Sequence, residues 1–243
     1  MARHHTEMVR LGWAGYLGFE KGLVKCHLLG RYPVRVQSEL VEGVAAIHAA
    51  LVGNGYENPT DFIGSYMYRK IGGTDIWSEH AYGTALDIDY GGDTDGDGDP
   101  TIDKNPHIRR RIVPGDPGFG VEWQFTESDI AAIENIRNTH GEQMWSWLGW
   151  DIGDTMHVST SVRPDRAVVD WTTVGGHDMA WDEWVTGLVT GWAEDPVKTE
   201  SEFVRLASEG KLGGSIQYWM NLLDTPTDPA WRGFVARTWL SSW

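Results

Sequence analysis

Cysteine is nearly absent. Cys26 stands alone in a chain of 243 residues, so no internal disulfide can form. A chain of this length buries well over half of its unfolded surface and needs no covalent staple. Cys26 has no Cys or His at a metal-like spacing and reads as a plain core thiol. Long apolar runs are missing as well. None approaches the ~20 residues of a membrane-spanning helix, and the opening MARHHTEMVRLGW lacks an apolar stretch of signal-peptide length. The expectation is a protein without membrane insertion, made in the cytoplasm and not exported by a standard secretory signal. Positive charge is scarce: 20 Lys and Arg face 35 Asp and Glu, a formal net charge of −15. Such a surface repels polyphosphate, which argues against a nucleic-acid partner. It also disfavours simple electrostatic docking on anionic membranes or wall polymers. What remains is ordinary for a soluble domain, with 41% hydrophobic and 23% charged residues.

Along the chain, residues 1–35 show little periodicity and read as a loosely structured lead-in with one short helix. From Ser38, Leu40, Val44, Ile47 and Leu51 recur at helical spacing, with Ser38 as cap and Gly53 and Gly55 as stop. Ile63–Lys70 and Thr84–Tyr90 read as strands, and 91–120 as a loop rich in Gly, Asp and Pro. Thr126 with Asp129 signals a capping box for a second helix through Ile130, Ile133 and Arg137, stopped at Gly141. Thr155–Thr160 reads as a further strand. Beyond Val174-Gly175-Gly176 the character changes, because residues 178–243 hold 7 of the 14 tryptophans and show helical periodicity only. The division is a lead-in at 1–35, a core domain at 36–172 and a tryptophan-rich helical module at 178–243.

Two segments carry the chemistry. The first, Ser78 to Asp87, reads S-x-H-x-x-G-x-A-x-D; the second, Asp154 to His157, reads D-x-x-H. His80 and Asp87 are too far apart for adjacent turns of one helix, and Gly83 separates them. The spacing suits a loop that turns at the glycine and returns as a strand carrying Asp87. His157, on another strand, can complete a set of two imidazoles and one carboxylate. Catalytic zinc sites have that composition, since three protein ligands leave a fourth tetrahedral position for water. Asp154, three residues before a ligand, is the best-placed general base.

Together the segments resemble the LAS group of zinc peptidases, specifically the D-alanyl-D-alanine carboxypeptidase family with its many phage endolysins. The match runs from about residue 36 to 170 and rests on His80, Asp87, Asp154 and His157, within SEHAYGTALDID and GDTMHVS. The resemblance implies an α+β core of a small antiparallel sheet with flanking helices, as in LAS and hedgehog-type proteins. It implies Zn2+ as cofactor and peptidoglycan stem peptides as substrate. It further implies that Arg69 contacts a substrate carbonyl or carboxylate, that Ser78 helps to position substrate, and that Gly83 and Ala85 let the backbone turn beside the metal. The chain departs from the dipeptidases in having Asp154 and Met156 where they carry Glu and Trp. Hydrolysis of a stem or cross-link peptide, of the D-Ala-D-Ala or L-Ala-D-Glu type, is the leading expectation, with action on the wall after phage-driven release. The alternatives are a wall-degrading component carried on a virion and a wall-binding protein that keeps the zinc fold without turnover.

Two further features stand outside this pattern. Asp93, Asp95, Asp97 and Asp99 open like a calcium loop, D-x-D-x-D-G, with Asp103 nearby, although Lys104 occupies the position where an EF-hand needs an acid. Ca2+ is therefore a candidate ligand, and a solvated acidic loop is the plainer reading. The tryptophans of 178–243, being at helical spacing, read as the core of a small bundle, with wall anchoring as the secondary reading.

Overall fold

The computed structural model describes residues 5–29, 33–56, 63–90, 105–108 and 110–174. The expected calcium loop and the tryptophan-rich module lie outside the described residues. Within them the fold is mixed α+β, as expected, with small antiparallel sheets and flanking helices.

The chain begins with helix α1, His5–Arg10, and a hairpin of β1, Leu23–His27, with β2, Pro33–Gln37. In β2 the side chains alternate, Val34 and Val36 inward against Pro33 and Arg35 outward, which is the period of a half-buried strand. This corrects the reading of 1–35 as loosely structured. Met8, Leu11, Trp13, Cys26, Leu28 and Val34 are all buried in the main hydrophobic core. The Trp13 indole also donates to the Val162 carbonyl at 2.8 Å, tying the N-terminal segment to residues far along the chain. Cys26 is buried in that core, as its context suggested.

Helix α2, Val41–Gly53, follows a 3-10 turn at Ser38–Leu40, and every residue from Val41 to Leu51 is buried. Ser38 does not cap it; its hydroxyl bonds the Glu39 carboxylate instead. Gly55, at φ 79°, follows the end of α2 in the left-handed conformation that favours glycine. Gly43 in α2 lies against the Trp145 ring, where an added Cβ would come within 2.8 Å of Cζ2. Absence of a side chain lets helix and sheet approach there.

The central sheet has four strands in the order β3-β4-β7-β6, all antiparallel. They are β3, Ile63–Gly64; β4, Ala85–Ile88; β6, Trp145–Trp147; and β7, His157–Thr160. The expected strand over 63–70 shortens to two residues. Beyond Gly64 its backbone groups turn to other partners: Tyr66 N–H to the Arg35 carbonyl and Met67 N–H to the His80 carbonyl. The expected strand over 84–90 ends at Ile88, because Asp89 adopts φ 57° and leaves the ladder. Helix α3, Glu127–Glu134, carries the capping box in full, Thr126 and Asp129 each bonding the other's backbone N–H. It stops short of Arg137, which begins β5, Arg137–Asn138, paired with β8, Val169–Asp170. Helix α4, Gly149–Ile152, sits between β6 and β7.

Candidate metal centre

The site lies where β4 meets β7. Asp87 and His157 are direct cross-strand partners, so their side chains leave the sheet on one face, close enough to touch. His80 comes from the turn before β4. Ser78 accepts the His80 N–H at 3.3 Å and starts a 3-10 helix, Glu79–Tyr82; Gly83, at φ 70°, ends it. An added Cβ on Gly83 would meet Leu23 Cδ2 at 2.6 Å, so both conformation and space demand glycine. The Thr84 hydroxyl donates back to the Glu79 carbonyl at 3.0 Å and closes the turn. The S-x-H-x-x-G-x-A-x-D segment is therefore cap, turn, left-handed stop and strand in succession.

Three atoms converge. His80 Nε2 and His157 Nδ1 are 3.3 Å apart, and Asp87 Oδ1 is 3.1 Å from the first and 3.0 Å from the second. Ligand atoms about 2.0–2.2 Å from a tetrahedral zinc ion are spaced by roughly 3.3 Å, so these three contacts have the size of one face of such a site. Hydrogen bonds on the far side of each ring set the tautomers. His80 Nδ1 is 2.7 Å from the Ser65 carbonyl, which can only accept, so this nitrogen carries the proton. His157 Nε2 is 3.2 Å from the Glu79 carboxylate, with the same consequence. In neutral rings, His80 Nε2 and His157 Nδ1 both present lone pairs toward Asp87. With both rings neutral, Asp87 Oδ1 is buried and accepts no hydrogen bond among the described residues; a second proton on either ring supplies one. Lone pairs aimed at one another are relieved by a proton or a metal ion between them, and His80, Asp87 and His157 form the one cluster of metal-ligating type found among the described residues.

The electrostatics agree. Burial disfavours a charged His157 ring, yet the carboxylates of Asp87 and Glu79 overcome it and raise the ring to about 10. Burial likewise pushes the Asp87 carboxyl up, but His80 and His157 outweigh it and hold it well below the ordinary carboxylate range. Without an ion, the cluster captures a proton in its place.

The remaining expected residues are distributed around this centre. Asp154 is half-buried, and its Oδ1 has no hydrogen-bond partner among the described residues. Burial raises its pKa, opposed chiefly by His157 and reinforced by Asp87, so its carboxyl feels the cluster's charges. Ser78 is buried and acts as the cap of the His80 turn. Arg69 is exposed; its carbonyl accepts the Ser78 N–H at 3.1 Å, but its guanidinium has no partner among the described residues. Sequence reasoning missed Glu79 and the Ser65 carbonyl. Glu79 is adjacent to His80 in the chain, yet its side chain serves His157, a pairing that no spacing rule indicates. Comparison with protein-family models, curated proteins and solved structures finds no match for the chain.

Proposed function

We infer that this protein is a zinc-dependent peptidase acting on the stem or cross-link peptides of bacterial peptidoglycan. The observation that carries the reading is the convergence of two oriented imidazoles and an unpartnered buried carboxylate oxygen within 3.3 Å of one another. A divalent ion there would be held by His80, Asp87 and His157, and it would supply Lewis acidity toward water and a peptide carbonyl. The assignment of a peptidoglycan substrate rests on the resemblance of the two segments to the D-alanyl-D-alanine carboxypeptidase family.

In this reading Asp154 takes the proton of the attacking water and returns it to the departing amine. A burial-raised pKa suits a group that must both accept and give a proton. The exposed Arg69 guanidinium, free of partners among the described residues, is suited to hold a substrate carboxylate or the oxygen that gains charge. Ser78 contributes by fixing the backbone of His80. Among the described residues no helix is long and apolar enough to cross a membrane.

The test is digestion of purified peptidoglycan with zinc-loaded protein, followed by mass spectrometry of the released muropeptides. New amino and carboxyl termini at a single type of peptide bond, lost on chelation and restored by Zn2+, are expected. Protein that holds one zinc ion per chain and creates no new termini would instead match the wall-binding alternative.

A further inference from the structure

Glu79 is costly where it stands. Its side chain is only 4% exposed, Oε1 is buried without a hydrogen-bond partner among the described residues, and no lysine or arginine among them pairs with it. A buried carboxylate with one satisfied oxygen is destabilising unless a positive charge answers it. Its other oxygen lies 3.2 Å from His157 Nε2, the one side chain among the described residues that bonds it. The backbone around it is pinned on both sides, by the Ser78 cap and by the Thr84 hydroxyl on its own carbonyl, so the carboxylate is held against the ring.

The two nitrogens of an imidazole point away from each other. A carboxylate at Nε2 therefore cannot ligate an ion held at Nδ1; it acts on that ion through the ring. We propose that Glu79 is a positioning residue of the metal centre: it locks His157 in the tautomer and orientation that aims Nδ1 at the ion, and its negative charge strengthens the ligand. This rests on the metal reading above and adds a residue to it. Charge balance supports the assignment. Asp87 and Glu79 together bring two negative charges into a buried cluster whose two histidines are neutral when they ligate, so a divalent cation leaves the cluster neutral. Hydrogen bonds of this kind behind a ligating histidine are worth roughly 10- to 100-fold in metal affinity.

The experiment compares the full chain with Glu79→Gln and Glu79→Ala for zinc affinity, by competition against a chromogenic chelator. Cobalt(II) absorption spectra of each serve as a geometric readout that a merely structural role would not move. Glu79→Gln keeps the shape and an acceptor while removing the charge, so it remains informative if Glu79→Ala fails to fold. We expect one ion per chain in all folded forms, with affinity about tenfold lower in Glu79→Gln. Glu79→Ala should be weaker still, with an altered cobalt spectrum. A parent that binds one ion, with Glu79→Gln binding it within twofold and an unchanged cobalt spectrum, overturns the role of Glu79 alone. A parent that binds neither ion overturns the metal reading, and this inference falls with it.

Discussion

Asp87 and Asp89 lie two residues apart and live in opposite circumstances. Asp89, just past the end of β4, belongs to a closed network: Tyr56 donates to its Oδ2 at 3.0 Å, and its carbonyl accepts the Asn105 N–H at 2.7 Å. Asn105 then donates to the Tyr56 oxygen at 3.1 Å and to the Ile88 carbonyl at 3.3 Å, and accepts the Phe125 N–H at 3.0 Å. Polar atoms there satisfy one another. Around Asp87 the donors point outward, to Ser65 and Glu79, and the acceptors face inward at each other. Both clusters are buried in the same part of the sheet, so burial does not separate structure from function here. The direction of the unused lone pairs does.

That contrast can be broken at either cluster. The largest effect is expected from Asp87→Ala, which removes the one carboxylate among the three converging ligands. Bound zinc should fall from one ion per chain to near zero by atomic absorption, with peptide hydrolysis lost alongside it. Asp154→Asn should separate holding from using the metal: zinc content stays at one ion per chain, while turnover of a muropeptide drops about 100-fold or more. Unchanged turnover would remove Asp154 as the base.

Acidity gives a third handle. In the metal-free protein His157 keeps its proton up to about pH 10, against an ordinary value of 6.5. The stability this ring contributes is thus fully present below about pH 6.5 and disappears as pH rises through 10. Zinc must displace that proton. Calorimetry at pH 7 in buffers of different ionisation enthalpy should show about one proton released per ion, and apparent affinity should climb by about tenfold per pH unit toward pH 10. The smallest effect on the metal is expected from Asn105→Ala. Loss of its bonds should cost about 2–3 kcal/mol in urea unfolding, with zinc stoichiometry and affinity unchanged. A variant that lost zinc as well would show that the two clusters are one.

Much of the site was legible because its residues are local. Ser78, His80, Gly83 and Asp87 sit in a continuous segment in which cap, turn, left-handed glycine and strand follow from near neighbours. The capping box of α3 was legible for the same reason. Elements decided by distant partners were not. Strands β1 and β2 pair with each other, and the two inward valines of β2 are too short a pattern to announce it. Helix α3 stops at Glu134, and Arg137 turns to β8 because Asp170 is there to pair and the Thr173 hydroxyl accepts its N–H at 2.9 Å.

The order of residues along the chain determined which chemistry was possible: two histidines, their nearby carboxylates and a glycine that let the first histidine's loop turn back as a strand. Only the tertiary structure decided that Asp87 pairs with His157 across β4 and β7 and that Glu79 reaches the far side of that ring. The register between strands is a contact between distant residues, set by burial over the whole sheet, and spacing along one strand carries no record of it.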